Sequence, residues 1–227
     1  MGKGQLCLLF LVLFLILASL ALMLTGIVTD YWYRVDASGS SNTTVKERFT
    51  YHFGMWRKCY TYSIPPEIPI DRRAGRCVYT YQDLFPRTMA TFSASDERYL
   101  HLERSWIACL IAGAAIQVFA ILTLICGLWP ADCKSVKRSS LYLSASILCL
   151  FGAMCGITSG IIFIAMRDMD GTSRNIYPAN TTHQYGWSFM LSWIGTGLCV
   201  IQGFFFLCLL KMDYNDINES GKYNTFM

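Results

Sequence analysis

Apolar residues dominate four long stretches of this chain, and its charged residues all lie outside them. Leu6–Val28, Ser105–Trp129, Leu141–Met166 and Trp187–Leu210 contain no Asp, Glu, Lys or Arg, and the shortest of them is 23 residues long. A helix of about 20 apolar residues crosses the roughly 30 Å hydrocarbon core of a bilayer. Inside that core only a helix or a closed barrel satisfies its own backbone N–H and C=O groups. Helices of water-soluble domains average about 11–12 residues, half the length of these runs. The pattern therefore predicts spans at about 6–28, 105–129, 141–166 and 187–210. The whole chain, 1–227, reads as one tetraspan domain: an all-α membrane four-helix bundle. Between the spans lie loops 29–104, 130–140 and 167–186, and a polar tail follows at 211–227.

Charge sets the expected orientation. The short loop holds Lys134, Lys137 and Arg138 against Asp132, and short basic loops stay cytoplasmic. Lys3 and Lys211 fall on the same side, which places both termini in the cytoplasm and loops 29–104 and 167–186 outside. Asn42-Thr43-Thr44 and Asn180-Thr181-Thr182 are glycosylation acceptor patterns in the two loops assigned outside, whereas Asn218-Glu219-Ser220 lies in the cytoplasmic tail. The first run also admits reading as a cleaved signal peptide with Lys3 as its basic start, although it exceeds the usual 7–15-residue apolar core of such a signal. Leu6 stands where N-myristoylation calls for Ser or Thr. The net charge of +4 is spread over the loops, which leaves no basic stripe for nucleic acid.

Of ten cysteines, seven lie within the apolar runs, where a free thiol behaves as a small hydrophobe. Cys133 and Cys208 are ordinary thiols or palmitoylation sites near the cytoplasmic face. Cys59 and Cys77 share the long outer loop. A pair in an oxidising compartment is expected to bridge, the alternative being two unpaired thiols.

Around them the loop is strand-like. Phe49–Tyr62 and Cys77–Tyr81 are rich in aromatic and β-branched residues, and Ile64–Pro69 holds prolines that cannot donate to a sheet ladder. A small extracellular antiparallel β-sheet is expected on the helix ends, with the bridge tying its two middle strands and Ile64–Ile70 forming a turn or exposed lobe. Ser38–Thr44, rich in Ser and Gly, is expected to be a mobile hairpin tip carrying a glycan.

These residues resemble a known family. Trp32 after the first span, then Gly54-Met55-Trp56-Arg57-Lys58-Cys59 leading to Cys77, is similar to the W…G-L-W-x-x-C…C signature of the claudin superfamily. That group holds claudins, peripheral myelin and epithelial membrane proteins, and the γ subunits of voltage-gated calcium channels with their stargazin-like relatives. Tyr185-Gly186-Trp187-Ser188-Phe189 resembles the opening of the fourth span in γ subunits and claudin-domain proteins. The resemblance covers the whole chain and implies a claudin-like fold. Met55 replaces the usual Leu. The cysteines stand farther apart than in claudins and the first loop is longer, both of which lean toward the γ-like branch. Trp32 and Trp56 are amphipathic rings suited to the membrane boundary, where they would clamp the sheet to the helix ends. Gly54 permits a close backbone approach. These signature residues read as scaffold.

Within the bilayer, Gly152, Gly156 and Gly160 repeat at four-residue spacing. Ala108, Ala112 and Ala115 in the second span, and Ser188, Ser192 and Thr196 in the fourth, form similar stripes. Small residues in this register let helices approach closely, either within the bundle or against a partner's helix. No span carries an ionisable group, as an ion or proton pathway requires. His52, His101 and His183 are scattered without acidic or Cys partners at metal-ligand spacing, and no nucleophile or phosphate-loop motif occurs. No catalytic residue, metal or cofactor is expected. The end Asn224-Thr225-Phe226-Met227 is either a ligand for a cytoplasmic PDZ scaffold, through Thr225 and Met227, or a solvated tail.

The expectation is a non-enzymatic plasma-membrane protein that acts by contact. By resemblance it serves as an auxiliary or regulatory subunit of a channel or receptor, through its spans and first outer loop. The alternative is claudin-type cell–cell adhesion or membrane organisation in the manner of myelin proteins, with membrane-protein partners that include further copies of itself. Phe85, Tyr99 and Ile64–Ile70 are the contacts that adhesion would use.

Overall fold

A computed structural model describes residues 3–80, 84, 93–128 and 138–225. The elements are α1 (Lys3–Val28), β1 (Tyr33–Asp36), α2 (Thr43–Phe49), β2 (Tyr51–Phe53), β3 (Arg57–Tyr60), β4 (Arg73–Ala74), β5 (Cys77–Tyr79), α3 (Ala94–Leu128), α4 (Arg138–Thr172), β6 (Thr182–Tyr185) and α5 (Trp187–Thr225). Four helices, α1, α3, α4 and α5, are long and apolar enough to cross a membrane, and a small antiparallel sheet accompanies them. Large side chains such as Phe10, Phe14, Phe119, Phe151 and Phe204 are exposed along these helices. Exposed apolar area on this scale requires a lipid or protein covering.

The helices outrun the apolar runs that announce them. α3 starts at Ala94 rather than near 105. There the Ser93 hydroxyl accepts from the Asp96 N–H at 3.3 Å, and Asp96 and Glu97 complement the helix dipole in its first turn. α4 continues past Met166 to Thr172. Ser173 and Arg174 then donate to the Met169 carbonyl and Asn175 takes a left-handed φ of 47°, as helix ends commonly do. Residues 211–225, expected as a polar tail, prolong α5 as helix. Hydropathy marks only the lipid-length core of each helix, whereas caps decide where the hydrogen-bonded ladder stops.

The sheet departs from expectation in three respects. Its order is β4-β5-β3-β2-β1-β6, so an edge strand comes from the second connecting segment. β6 pairs antiparallel with β1, Tyr185 opposite Tyr33 and Thr182 opposite Asp36. With six strands among the described residues, the bridged pair β3–β5 lies off-centre instead of in the middle. The Ser38–Thr44 segment leads into a helix, not a hairpin tip: Asn42 caps α2 by accepting from Thr44 N–H at 3.0 Å. Within the strand-like stretch, β2 and β3 form a hairpin that turns at Gly54–Trp56, with Gly54 N–H donating to the Arg57 carbonyl at 3.0 Å.

The chain divides into two compact units. The first comprises the described parts of Met1–Met23, Ala112–Gly156 and Ile194–Met227. Its core joins Val12 and Ile16 of α1, Ala120 of α3, Ala145 and Cys149 of α4, and Phe206 of α5. Glycines set its closest contacts. A Cβ on Gly152 would lie 3.3 Å from the Gly113 carbonyl oxygen, and one on Gly156 only 2.5 Å from Thr196 Oγ1. Several buried polar side chains here find partners within the unit, as an apolar surrounding favours, although Gln117 Oε1 has none among the described residues. Gln117 bonds Ser19 and Cys199, Ser19 donates to the Gly195 carbonyl at 2.7 Å, and Gln202 donates to the Leu15 carbonyl at 2.8 Å.

The second unit is Leu24–Ile111 with Ile157–Trp193, within the described residues. It holds the sheet and the sheet-side turns of the four long helices. An aromatic core of Trp32, Tyr33, Phe53, Trp106, Phe163 and Phe189 joins strands to helices. In the same unit a Cβ on Gly160 would fall 2.6 Å from the Trp193 ring.

Candidate functional site

Two groups of side chains dominate the second unit. The first is built by the signature residues. Trp32 is 1% exposed, with ring centroids of Trp106 and Phe163 at 5.0 and 5.2 Å. Its indole N–H donates to the Gly26 carbonyl at 2.5 Å. Trp56, in the β2–β3 turn, donates to the Ile27 carbonyl at 2.8 Å. The last carbonyls of a helix have no partner inside it, so two indoles of the sheet layer complete the end of α1. Gly54 meets the chain just beyond α1 so closely that a Cβ would lie 2.5 Å from both Asp30 Cα and the Thr29 carbonyl oxygen. Met55 is buried beside it, and Arg57 holds Asp30 at 2.6 Å. Cys59 and Cys77 stand directly opposite each other in the β3–β5 register and form a disulfide.

That bridge closes a segment with a sequence separation of 18, a loop whose cross-link is worth about 3 kcal/mol in the chain-entropy account. Cys59→Ser is expected to lower the thermal unfolding midpoint of the purified protein, and reductant should shift the wild type equally while leaving the variant unmoved. A wild type indifferent to reductant would show that the bond contributes nothing.

The second group is a network of charges, buried at Arg167 and Asp170 and reaching solvent at Arg174 and Asp96. Asp96, Tyr99 and Glu103 recur at three- and four-residue spacing on one face of α3. Arg167 and Asp170 lie three apart on α4, with Arg174 just past its end. The side chains of Arg167 and Asp170 are 8% and 3% exposed. The Arg167 guanidinium reaches Asp170 at 3.1 Å and Glu103 at 3.3 Å and donates to the Tyr99 hydroxyl at 2.7 Å. That hydroxyl in turn donates to Asp170 at 2.9 Å. Arg174 links Asp170 at 3.5 Å to Asp96 at 3.4 Å. The Phe53 and Phe163 rings approach the Arg167 guanidinium at 5.0 and 5.2 Å, which adds cation–π attraction. Arg tolerates such burial because its planar fork serves several acceptors at once. Beside this network lies a cavity of about 550 Å³ whose wall includes Tyr51, Phe53 and Lys58 from the sheet, with Leu100 and Ile176. Among the described residues no group of three or more His, Cys, Asp or Glu is placed to hold a metal.

A family model for PMP-22/EMP/MP20/Claudin tight junction proteins matches residues 17–208, a stretch that includes both groups and the disulfide. The chain belongs to the PMP-22/EMP/MP20/claudin family. This claudin-family chain is a multi-pass membrane protein. It is 27% identical over 189 residues to the voltage-dependent calcium channel gamma-1 subunit of Sus scrofa, a match covering 78% of this chain and 77% of that relative.

Other expected sites of the claudin-family chain are scattered over the fold. Asn42 and Asn180 are exposed, the first as the cap of α2 and the second with a left-handed φ of 66°. Met227, Phe85 and Cys133, like the side chain of Thr225, lie outside the described residues. Tyr99, a candidate contact for a neighbouring cell, is half-buried and its hydroxyl belongs to the network. Ile70 is 81% exposed on the Pro-rich lobe. Sequence reading missed the network. Arg167 and Glu103 stand at the edges of apolar runs, where a charge ordinarily reaches for solvent or headgroups. The available signal was their phase: Glu103 falls four residues after Tyr99, and Asp170 three after Arg167, each pair on one helical face.

Proposed function

We propose that this chain is a non-enzymatic auxiliary subunit of a membrane channel or receptor, resident in the plasma membrane with both termini cytoplasmic and the sheet outside. The observation that carries this reading is the extended likeness to a voltage-dependent calcium channel gamma-1 subunit. The wide cysteine spacing and the absence of a catalytic constellation in the sequence support it. The apolar faces of α1, α3, α4 and α5 would meet the spans of the partner, and the sheet would meet its outer domain. Purification in mild detergent from cells that express the protein natively is the test. A pore-forming or receptor subunit should co-purify in stoichiometric amount, and recovery of the chain by itself would refute the assignment.

The exposed Ile70 favours a second reading, in which the Pro-rich lobe meets the surface of an opposing cell. Expression in cells without junctions separates the two: enrichment at contacts supports adhesion, and an even surface distribution supports the subunit role. Orientation has its own check. Glycosidase treatment should increase the mobility of the wild type, Asn42→Gln and Asn180→Gln should each remove one step of that shift, and Asn218→Gln should remove none. A tail ligand for a PDZ scaffold would lose capture with Thr225→Ala; unchanged capture would discard that contact.

A further inference from the structure

A second groove lies wholly within the second unit, between the sheet-side end of α4 and the β1–β6 strand pair. It has a volume of about 440 Å³. Ile161, Ile164 and Ala165 of α4 line one half, and Tyr33, His183 and Tyr185 line the other, with Asp168 and Arg167 at its border. Positions 161, 164, 165 and 168 recur at three- and four-residue spacing and so share one helix face. Ile161, Ile164 and Ala165 are exposed on a helix long and apolar enough to cross a membrane. Their half of the groove therefore opens to lipid. Asp168 stands seven residues beyond Ile161, about 10 Å along the axis, and past the end of the uncharged run at Met166. The groove joins a lipid-facing surface to a carboxylate.

Its polar half favours a cation. The Asp168 carboxylate is exposed and has no ion pair or hydrogen bond among the described residues. Burial and this carboxylate push the Tyr185 hydroxyl up, against the pull of Arg167, so Asp168 and the Tyr185 ring act on one space. The exposed rings of His183 and Tyr185 flank that of Tyr33, with centroids at 6.0 and 5.4 Å from it. Aromatic faces attract ammonium groups, quaternary ones included. Arg167 also borders the groove, but its side chain is 8% exposed and its guanidinium is held by Glu103 and Asp170. The charge left for a ligand is that of Asp168.

We propose that this groove holds a phospholipid of the sheet-side leaflet whose headgroup ends in an ammonium, of choline or ethanolamine type. The ammonium lies against Asp168 and the His183 and Tyr185 rings, and an acyl chain runs along Ile161 and Ile164. The site is independent of the subunit reading and of which side of the membrane the sheet occupies.

The full-length protein in a neutral detergent, supplied with equal amounts of phosphatidylcholine and phosphatidylglycerol of identical acyl chains, tests this by native mass spectrometry. The net charge of +4 would by itself draw the anionic lipid. The expected result is instead retention of one phosphatidylcholine in roughly tenfold preference, from a solvent-accessible ion pair and a cation–π contact acting together. Asp168→Asn and Tyr185→Leu should each cut that preference about threefold or more. Asp71→Asn, which removes an exposed carboxylate far along the chain from the groove, should leave it unchanged. A wild-type ratio near one overturns the proposal, as does a preference that Asp168→Asn leaves intact or that Asp71→Asn lowers equally. The wild-type ratio and the exchange of the exposed Asp168 decide the matter even if Tyr185→Leu fails to fold.

Discussion

Arg167→Met is expected to cost about 3–5 kcal/mol of stability, the range for removing one member of a buried ion pair. The loss is large because of what remains. Glu103 and Asp170 are held by Arg167 at 3.3 and 3.1 Å, and of its two cations Asp170 would keep the more distant Arg174 at 3.5 Å, beside the Tyr99 hydroxyl at 2.9 Å. The Tyr99 hydroxyl would also lose the guanidinium that donates to it. Arg167→Lys should recover only part, since one ammonium cannot span Glu103, Tyr99 and Asp170 as the planar fork does. The triple change Arg167→Met, Glu103→Gln, Asp170→Asn should be more stable than Arg167→Met, because neutralising every partner removes the uncompensated charge. Thermal unfolding of the purified full-length chain in one detergent measures all three. An Arg167→Met protein that melts with the wild type would mean the network contributes no net stability.

Gly186→Ala and Gly54→Ala are expected to impair folding at or beyond the upper end of the roughly 1–3 kcal/mol cost of overpacking. Both glycines press on the segment just after α1. A Cβ on Gly186 would fall 1.9 Å from the Tyr31 carbonyl oxygen, and one on Gly54 2.5 Å from the Thr29 carbonyl oxygen. These neighbours are backbone, so no rotamer change relieves the clash. The Gly186 N–H also donates to the Trp32 carbonyl at 2.9 Å, so moving this strand away would break the contact that carries β6 into α5. The readouts are the unfolding midpoint and the fraction of chains with the Cys59–Cys77 bridge formed. Gly197→Ala is the control: nothing lies within 4 Å of its Cβ position, and Ala favours a helix over Gly by about 1 kcal/mol. If all three variants behaved alike, close approach at Gly54 and Gly186 would not be what constrains them.

Much of this architecture is legible before any coordinates. The four apolar runs announce four helices because lipid thickness sets a length that few other structures need. Cys59 and Cys77 announce their bond through the compartment that the basic short loop implies. The Trp32 and Gly54–Trp56 pattern announces the family, and the structure supplies the reason for its spacing: two indoles close the open carbonyls of α1 while a residue without a side chain lets the turn settle on Asp30. That the Tyr99 hydroxyl is held by Arg167 and Asp170 was not legible, because the segment reads as loop until α3 is known to begin at Ala94.

The amino-acid order by itself determined how many helices are long and apolar enough for lipid and which cysteines bond, because hydropathy, charge and compartment are properties of short segments. Only the tertiary structure decided that Thr182–Tyr185 would close the sheet against β1, and that Arg167 would turn inward to Glu103 and Tyr99. Those choices depend on which groups meet across 60 or more residues of chain. Burying a charge at such a meeting point becomes tolerable only once every partner has arrived.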